Sequence, residues 1–172
     1  GYDMSNPAQP RQIRFMAVAG TGLHRIWYTG RRSDYASALP DGFTNYIMIT
    51  IDMVAPTKPQ VLGQFWPPGR DASPRKASPT GDIAYCNWRD ACLAIIEVSD
   101  RSAPTLIAHK FCSPPFGGST HNALLLRKHN FPILVDETVL DHGKDGVKPI
   151  CIFDNHIRAN PIITVTCPAP RF

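Results

Sequence analysis

The chain has 172 residues, enough for one ordinary domain, and its 43% hydrophobic content is typical of a globular protein rather than a disordered one. The net charge of +4 is modest and the basic residues are scattered, which disfavours nucleic-acid binding. No apolar run approaches the roughly 18–20 residues needed to cross a bilayer. The first residues, GYDMSNPAQPRQIR, lack the apolar segment of a signal peptide. Without a bilayer-spanning run, no membrane partner is expected.

The predicted elements are short strands, and their order along the chain indicates an all-β protein. Residues 1–19 are predicted as the outer strand of one unit, and 20–68 as a unit with strands LHRIWYTG, SDYASAL, YIMITIDM and QVLGQFW. Residues 74–114 carry DIAYCNWRD, CLAIIEVSD and PTLIAHKF, and their leading segment SPRKASPT is interpreted as a loop. Residues 117–168 carry THNALLLRK, FPILVDET, KPICIFDN and PIITVTC. The 17 prolines, spread along the whole chain, disfavour helices.

Four segments repeat one pattern, in which an apolar residue, an acidic residue, a proline seven positions later and a short β-type run follow one another. The acidic residues and their prolines are Asp3 with Pro10, Asp52 with Pro59, Glu97 with Pro104, and Asp154 with Pro161. Successive prolines are 49, 45 and 57 residues apart. This period, combined with strands, predicts a β-propeller built from four-stranded antiparallel blades. The acidic side chains are expected to accept backbone N–H bonds in their turns.

Three to four blades cannot close a propeller, so the ring is predicted to be incomplete in this chain. A blade buries its faces only against its neighbours. The remaining blades are expected from a longer or cleaved chain, or alternatively from a homo-oligomer of partial propellers.

The five cysteines are odd in number and form no CxxC pair, which disfavours a disulfide framework or a thiolate zinc site. They are predicted to be free and mostly buried. That pattern favours a reducing, cytoplasmic compartment. Cys112 and His121 could form a nucleophile pair, but no GxSxG elbow supports nucleophilic catalysis.

The chain resembles the LVIVD-repeat family of β-propellers over nearly its whole length. The resemblance rests on YDMSNPAQP, GLHRIWYTG, YCNWRDACLAIIEVSD, SPPFGGSTHNALLL, ILVDE and FDNHIRANPI. It implies a propeller with polar residues around its axis. Members of that family normally continue beyond the point where Phe172 lies, with a further GGxxGxHN-like segment. The activities of the family are mostly undefined, so the resemblance implies no particular chemistry.

Two histidines occupy corresponding positions at the start of predicted inner strands, His24 in GLHRIW and His121 in GGSTHNALLL. Inner strands line the channel of a propeller, so these imidazoles are expected to converge on the axis. With Asp136 or Glu137 from ILVDE they would form a two-histidine, one-carboxylate ligand set for a divalent transition metal such as Zn, Fe or Mn. Alternatively, His24, His121 and Glu137 would act as acid and base without a metal, or would only cap the channel.

Cationic residues near the same end predict an anionic small-molecule ligand. Arg75 and Lys76 fall where related sequences tend to carry two histidines, and Arg25, Arg89 and Asp90 flank the predicted mouth. All five are predicted to bind the substrate. Guanidinium groups bind carboxylates and phosphates in bidentate fashion. Arg89 could instead be locked by Asp90, and residues 75–76 could lie in a solvated loop.

Two classes of function follow from these features. The first is a small-molecule enzyme of hydrolase, lyase or isomerase type, with or without a metal, with its site at the channel mouth. The second is a non-catalytic propeller that binds a ligand or a protein. Corresponding histidines in different blades favour the first, because catalysis needs converging imidazoles and carboxylates.

Overall fold

The computed structural model describes residues 1–30, 32–67, 74–80, 82–112, 119–126, 128–139 and 148–168, with the backbone alone for 74–80, Asp90 and 165–168. In this part of the chain the only helical structure is a three-residue 3₁₀ turn, and no helix could span a membrane. The strands are β1 (Tyr2–Asp3), β2 (Arg11–Gln12), β3 (Gly22–Tyr28), β4 (Ser33–Leu39), β5 (Ile47–Asp52), β6 (Gln60–Phe65), β7 (Pro74–Thr80), β8 (Ile83–Trp88), β9 (Cys92–Glu97), β10 (Thr105–Lys110), β11 (Thr120–Leu126), β12 (Phe131–Asp136), β13 (Pro149–Asp154) and β14 (Ile162–Pro168). The all-β prediction is confirmed.

The strands form three antiparallel sheets of four strands and one short ribbon. Sheet 1 is β3–β4–β5–β6, sheet 2 is β7–β8–β9–β10, sheet 3 is β11–β12–β13–β14, and β1 pairs with β2. Within each sheet, consecutive strands pair in a simple meander, as short connections allow. Two predictions were wrong. SPRKASPT is not a loop but contains β7, and residues 1–19 form only the two-residue strands β1 and β2 rather than a full outer strand.

Sheet 2 is the middle layer, because both of its faces are covered. Along β9, Leu93 and Ile95 pack toward sheet 3, whereas Ala94 and Ile96 pack toward sheet 1, and all four are fully buried. Successive side chains of a strand point to opposite faces of the sheet, so the four apolar residues 93–96 of β9 pack against both neighbouring sheets. The far face of sheet 1, which points away from sheet 2, is covered over β4 and β5 by four partly buried side chains: Met16, Val18, Phe43 and Met53. On β3, Ile26 lies opposite Ala36 on the same face and is exposed.

The sheets approach closely where sheet 1 meets the turn after β9. The hydroxyl of Thr50 donates to the carbonyl oxygen of Arg101 at 2.5 Å. A Cβ on Gly63 would lie 2.5 Å from the same oxygen and 2.7 Å from the carbonyl oxygen of Ser102, so only glycine fits there. At the opposite edge of the sheets, the first strand of sheet 2 contacts the first strands of both neighbours, since β7 touches β3 and β11.

The acidic residue of each repeated turn accepts the backbone N–H of the residue two positions on, as predicted. The distances are 3.0 Å for Asp3, and 2.9 Å for Asp52, Glu97 and Asp154. Hydrogen bonds from that same residue hold the pKa of Asp3, Glu97 and Asp154 below the usual range. The recurring acidic residues are therefore turn-forming groups.

The cysteine prediction was wrong in one respect, because Cys92 and Cys112 form a disulfide with their Cα atoms 5.5 Å apart. Leu93 lies opposite Lys110 across the β9–β10 pair, so this hairpin places both cysteines at the same end. Cys86 and Cys151 are free and buried, and the Cys167 side chain lies outside the described part of the chain. The prediction of a reducing compartment assumed that all five cysteines are free, and the Cys92–Cys112 bond removes that argument.

Replacing Asp34 by Asn is expected to stabilise the protein at neutral pH. Asp34 is 3% exposed, and burial raises the pKa of its carboxyl above 3.8, although the N–H of Thr29 partly opposes this. The folded state thus holds the Asp34 proton more tightly than the unfolded state. The stability of the wild type falls as pH rises from about 4 through the raised pKa.

Urea unfolding of the wild type and Asp34→Asn between pH 3 and pH 8 would measure this difference. The variant should gain stability relative to the wild type as pH rises, and the gain should be absent below about pH 4. A difference that does not change with pH would show that the Asp34 charge is not the cause.

Candidate functional site

The first strand of every four-stranded sheet has a β-bulge near its start, and the predicted site residues occupy these bulges. The register shifts lie between Leu23 and Arg25 in β3, between Pro74 and Lys76 in β7, and between Thr120 and Asn122 in β11. The extra residues are His24, Arg75 and His121. The three positions correspond in the structure as they do in the sequence, and a bulge re-aims the residue it carries.

His121 and Glu137 are brought together at the start of sheet 3. The imidazole Nδ1 of His121 lies 2.5 Å from Oε2 of Glu137, and both side chains are about three-quarters buried. The backbone N–H of Glu137 donates to the carbonyl oxygen of Ser119 at 3.0 Å, which fixes the residue just beyond β12 beside the bulge. Ser119 has φ of 71°, in the left-handed region, so the chain turns sharply as it reaches His121.

Arg25 reaches the other nitrogen of the same imidazole. Its guanidinium NH2 lies 3.3 Å from Nε2 of His121, and its backbone N–H donates to the hydroxyl of Ser37 at 3.1 Å. A guanidinium can only donate, so Nε2 is the acceptor and Nδ1 carries the proton toward Glu137. The result is a chain of three groups, Glu137, His121 and Arg25, that joins sheet 3 to sheet 1 across the edge of sheet 2.

His24 does not join this chain of groups. Its side chain is exposed and its ring lies against Tyr46, with the ring centroids 5.3 Å apart. Asp136 lies opposite Thr120 in the register and is the last residue of β12. In the described part of the chain, no three His, Cys, Asp or Glu residues are grouped so that they could hold a metal ion. The predicted metal set of His24, His121, Asp136 and Glu137 is therefore not assembled in this arrangement.

The remaining predicted residues lie in sheet 2. Arg89 is half-buried and begins the 3₁₀ turn Arg89–Ala91, which contacts β11. The backbones of Arg75 and Lys76 are in β7 and that of Asp90 is in the 3₁₀ turn, but these three side chains lie outside the described part of the chain. The structure thus brings Arg25, His121 and Glu137 into contact and places Arg89 on the neighbouring turn.

A buried amide under the site was missed by sequence reasoning. Asn87 is fully buried, and its side-chain nitrogen donates to the carbonyl oxygen of Thr120, the residue before His121, at 3.1 Å. The hydroxyl of Thr120 is also buried. Asn87 fixes the start of β11 to the end of β8. A single amide within the otherwise apolar strand IAYCNW was the sequence feature that could have predicted a buried hydrogen bond here.

The buried thiols do not add a nucleophile to the site. Burial, helped by the charge of Asp136, raises the pKa of Cys151 to about 11, and burial also raises the pKa of Cys86 far above its usual value. The Cys112 sulfur is bonded to Cys92, so the Cys112–His121 nucleophile pair is excluded. The chemistry available at this site is that of an imidazole, a carboxylate and a guanidinium.

No protein-family model and no curated protein sequence matches this chain. The resemblance to the LVIVD-repeat family stays a prediction.

Proposed function

We propose that sheets 1 to 3 are successive blades of a β-propeller and that Arg25, His121 and Glu137 form an acid–base site for a small anionic substrate at its channel mouth. The blade arrangement is supported by three four-stranded meanders with equivalent bulges, stacked so that β3, β7 and β11 lie side by side. Equivalent positions on three such strands would face a common axis. The observation that carries the function is the His121 imidazole held between Glu137 and Arg25.

His121 is the proposed general base. Because Arg25 can only donate to Nε2 and the Glu137 carboxylate lies beside Nδ1, the neutral imidazole carries its proton on Nδ1 and its lone pair on Nε2. A substrate carboxylate binds the guanidinium of Arg25 more strongly than a neutral imidazole does, since both partners are then charged. Binding would draw the guanidinium off Nε2, and Nε2 would then be free to accept a proton from a C–H or from a water beside the carboxylate. Proton abstraction of this kind is common to lyases, isomerases and some hydrolases.

The geometry favours acid–base chemistry at His121 over metal ligation. The Nε2 atom that a metal would need is in contact with a cation, the Arg25 guanidinium. A second cation at that place would be repelled. A divalent metal such as Zn, Fe or Mn stays a prediction, since His24, Asp136 and Glu137 are not grouped in the described part of the chain.

The test is binding of malonate, a small dicarboxylate, measured by isothermal titration calorimetry. Arg25→Gln is expected to weaken binding about tenfold or more, because a charge-assisted hydrogen bond is worth about 1.5–3 kcal/mol. Arg158→Gln, another exposed arginine in the turn after β13, is the matched control and should bind as the wild type does. Wild-type protein that does not bind malonate, or equal binding by both variants, would contradict an anion site at Arg25.

Catalysis is tested separately by hydrogen–deuterium exchange at the methyl carbon (C3) of pyruvate in D₂O, followed by NMR. The wild type and Arg158→Gln should accelerate exchange, and His121→Gln should not. Malonate binding without any acceleration of exchange would favour the second candidate, a non-catalytic ligand- or protein-binding propeller. That alternative is supported by the exposed apolar side chains on the edge strand β3, Ile26 at 57% and Tyr28 at 66%.

A further inference from the structure

A cavity of about 460 Å³ lies beside sheet 1, between the segment that follows β2 and the turn that precedes β6. Residues 14–17 form one wall and residues 58–60 form the other. Both walls are anchored, because Met16 packs against the core of sheet 1 and Gln60 pairs with Asp52. The cavity is large enough for a small molecule, since sites of that kind measure about 300–1,000 Å³.

The register places this cavity toward the opposite end of sheet 1 from the acid–base site. Gln60 pairs with Asp52, which pairs in turn with Ser33 at the start of β4. The bulge at His24 lies instead beside Ala38, near the end of β4. Five residue steps of about 3.3 Å, roughly 16 Å in all, separate Ser33 from Ala38 along the strand. The cavity is therefore a separate feature of the molecule.

The walls of the cavity carry two positive charges that form no ion pair within the described residues. These charges are the guanidinium of Arg14 and the ammonium of Lys58, and neither wall contains a carboxylate. The acidic residue of each flanking turn is already paired with another arginine: Asp3 with Arg11 at 3.0 Å, and Asp52 with Arg32 at 3.6 Å. An anion in the cavity would therefore meet two cations that it need not share with a carboxylate.

The repeated turn of this fold does not require either cation. Lys58 precedes the proline of its turn, and Arg14 lies four residues after the proline of its own turn. The residues that precede the proline in the other three turns are uncharged: Gln9, Ala103 and Asn160. Those that lie four residues after the proline are also uncharged: Gly63, Ala108 and Val165. Beside Arg14, Phe15 is 76% exposed and offers the cavity an aromatic face.

We propose that this cavity binds a small aromatic phosphate, with the phosphate group on Arg14 and Lys58 and the ring against Phe15. A phosphate monoester matches two cations, since it carries a charge of about −1.5 to −2 at pH 7 and three acceptor oxygens. A guanidinium binds phosphate through two parallel hydrogen bonds, and an ammonium binds it as a point charge. The exposed ring of Phe15 favours a ligand with a planar apolar part over inorganic phosphate.

An NMR titration of the 172-residue protein with phenyl phosphate tests the proposal, with the amide signals of Phe15 and Gln60 as the local readout. Both signals should shift in a saturable manner. Arg14→Gln and Lys58→Gln should each weaken binding by about threefold or more, because each removes one charge-assisted contact. The matched controls Arg158→Gln and Lys128→Gln alter exposed cations in turns of sheet 3 and should bind as the wild type does: their side chains lie outside the cavity.

The contribution of the ring is measured by repeating the titration with inorganic phosphate. Phenyl phosphate should bind at least about threefold more tightly than inorganic phosphate, and Phe15→Ala should remove this difference. Equal affinity of the wild type for the two ligands would overturn the proposal. So would the absence of saturable shifts up to about 20 mM, or equal losses in Arg14→Gln and Arg158→Gln.

The two wild-type titrations decide the question even if a variant does not fold, and the amide spectrum of each variant shows whether it does. The result is independent of the acid–base site. Arg25→Gln should leave the phenyl phosphate affinity at the Phe15 and Gln60 signals unchanged, whatever it does to malonate binding.

Discussion

Replacing Phe153 by Ala is expected to lower the free energy of unfolding by about 3–5 kcal/mol. Phe153 is fully buried in the core cluster between sheets 2 and 3, among side chains that include Tyr85, Ile95 and Leu134. Removing the ring takes its apolar surface out of the core and leaves a cavity. The surrounding strands are paired on both sides, so they cannot move in to fill the cavity. The loss is large because this cluster joins the two sheets.

Chemical denaturation with urea measures the Phe153→Ala effect, and Phe15→Ala is its control. Phe15 is 76% exposed, so the same substitution there should change the free energy of unfolding by no more than about 0.5 kcal/mol. If the two variants lost equal stability, the described packing between sheets 2 and 3 would be wrong. A variant of Phe153 that is too unstable to fold would agree with the expected result.

Removing the disulfide in the double variant Cys92→Ala, Cys112→Ala is expected to lower the free energy of unfolding by about 2–4 kcal/mol. The bond closes a loop with a sequence separation of 20 residues, and it restricts the unfolded chain more than the folded one, where β9 and β10 are already paired. Unfolding in guanidinium chloride, with and without a reducing agent, measures the effect.

The wild type should lose stability in the presence of the reducing agent, and the double variant should not respond to it. Both sulfurs are nearly inaccessible in the folded protein, at 1% and 2% exposure, so the reductant must be present throughout the unfolding equilibrium. A wild type whose midpoint is the same with and without reductant would contradict a Cys92–Cys112 bond.

Most strands could be predicted from the sequence because their residue patterns are local. SDYASAL and β4 (Ser33–Leu39) coincide, and the β-branched run of YIMITIDM contains β5 (Ile47–Asp52). The turn carboxylates were equally predictable, since an acidic residue bonds a backbone N–H two positions on. β7 (Pro74–Thr80) was missed because its two prolines and two cationic residues are not typical of a strand. Its edge position explains why the prolines are tolerated, as an edge strand has N–H groups that need no partner in the sheet.

The disulfide was missed because cysteine counting ignores register. Cys92 and Cys112 flank the two arms of one predicted hairpin, CLAIIE and TLIAHK, and this symmetry was the signal that could have paired them. An odd number of cysteines does not exclude one bond.

The positions of the candidate site residues were more predictable than their contacts. Similar offsets in the sequence, 28 residues from His24 to Asp52 and 33 from His121 to Asp154, predicted that the two histidines occupy corresponding positions, and both lie in equivalent bulges. Which side chain reaches His121 depends on how sheets 1 and 3 approach one another, and that is a tertiary property. The neighbour of His121 is Arg25, not His24, because the His24 ring lies against Tyr46.

The tautomer of His121 tests the central claim of this account, that Glu137, His121 and Arg25 form one oriented chain of groups. A long-range ¹H–¹⁵N correlation spectrum of the ring-labelled protein, recorded at a pH where the imidazole is neutral, distinguishes the two nitrogens. The account predicts a proton on Nδ1 and a bare Nε2 in the wild type, with the preference lost in Glu137→Gln. A proton on Nε2 in the wild type would contradict the arrangement, because Arg25 could not then donate to that atom.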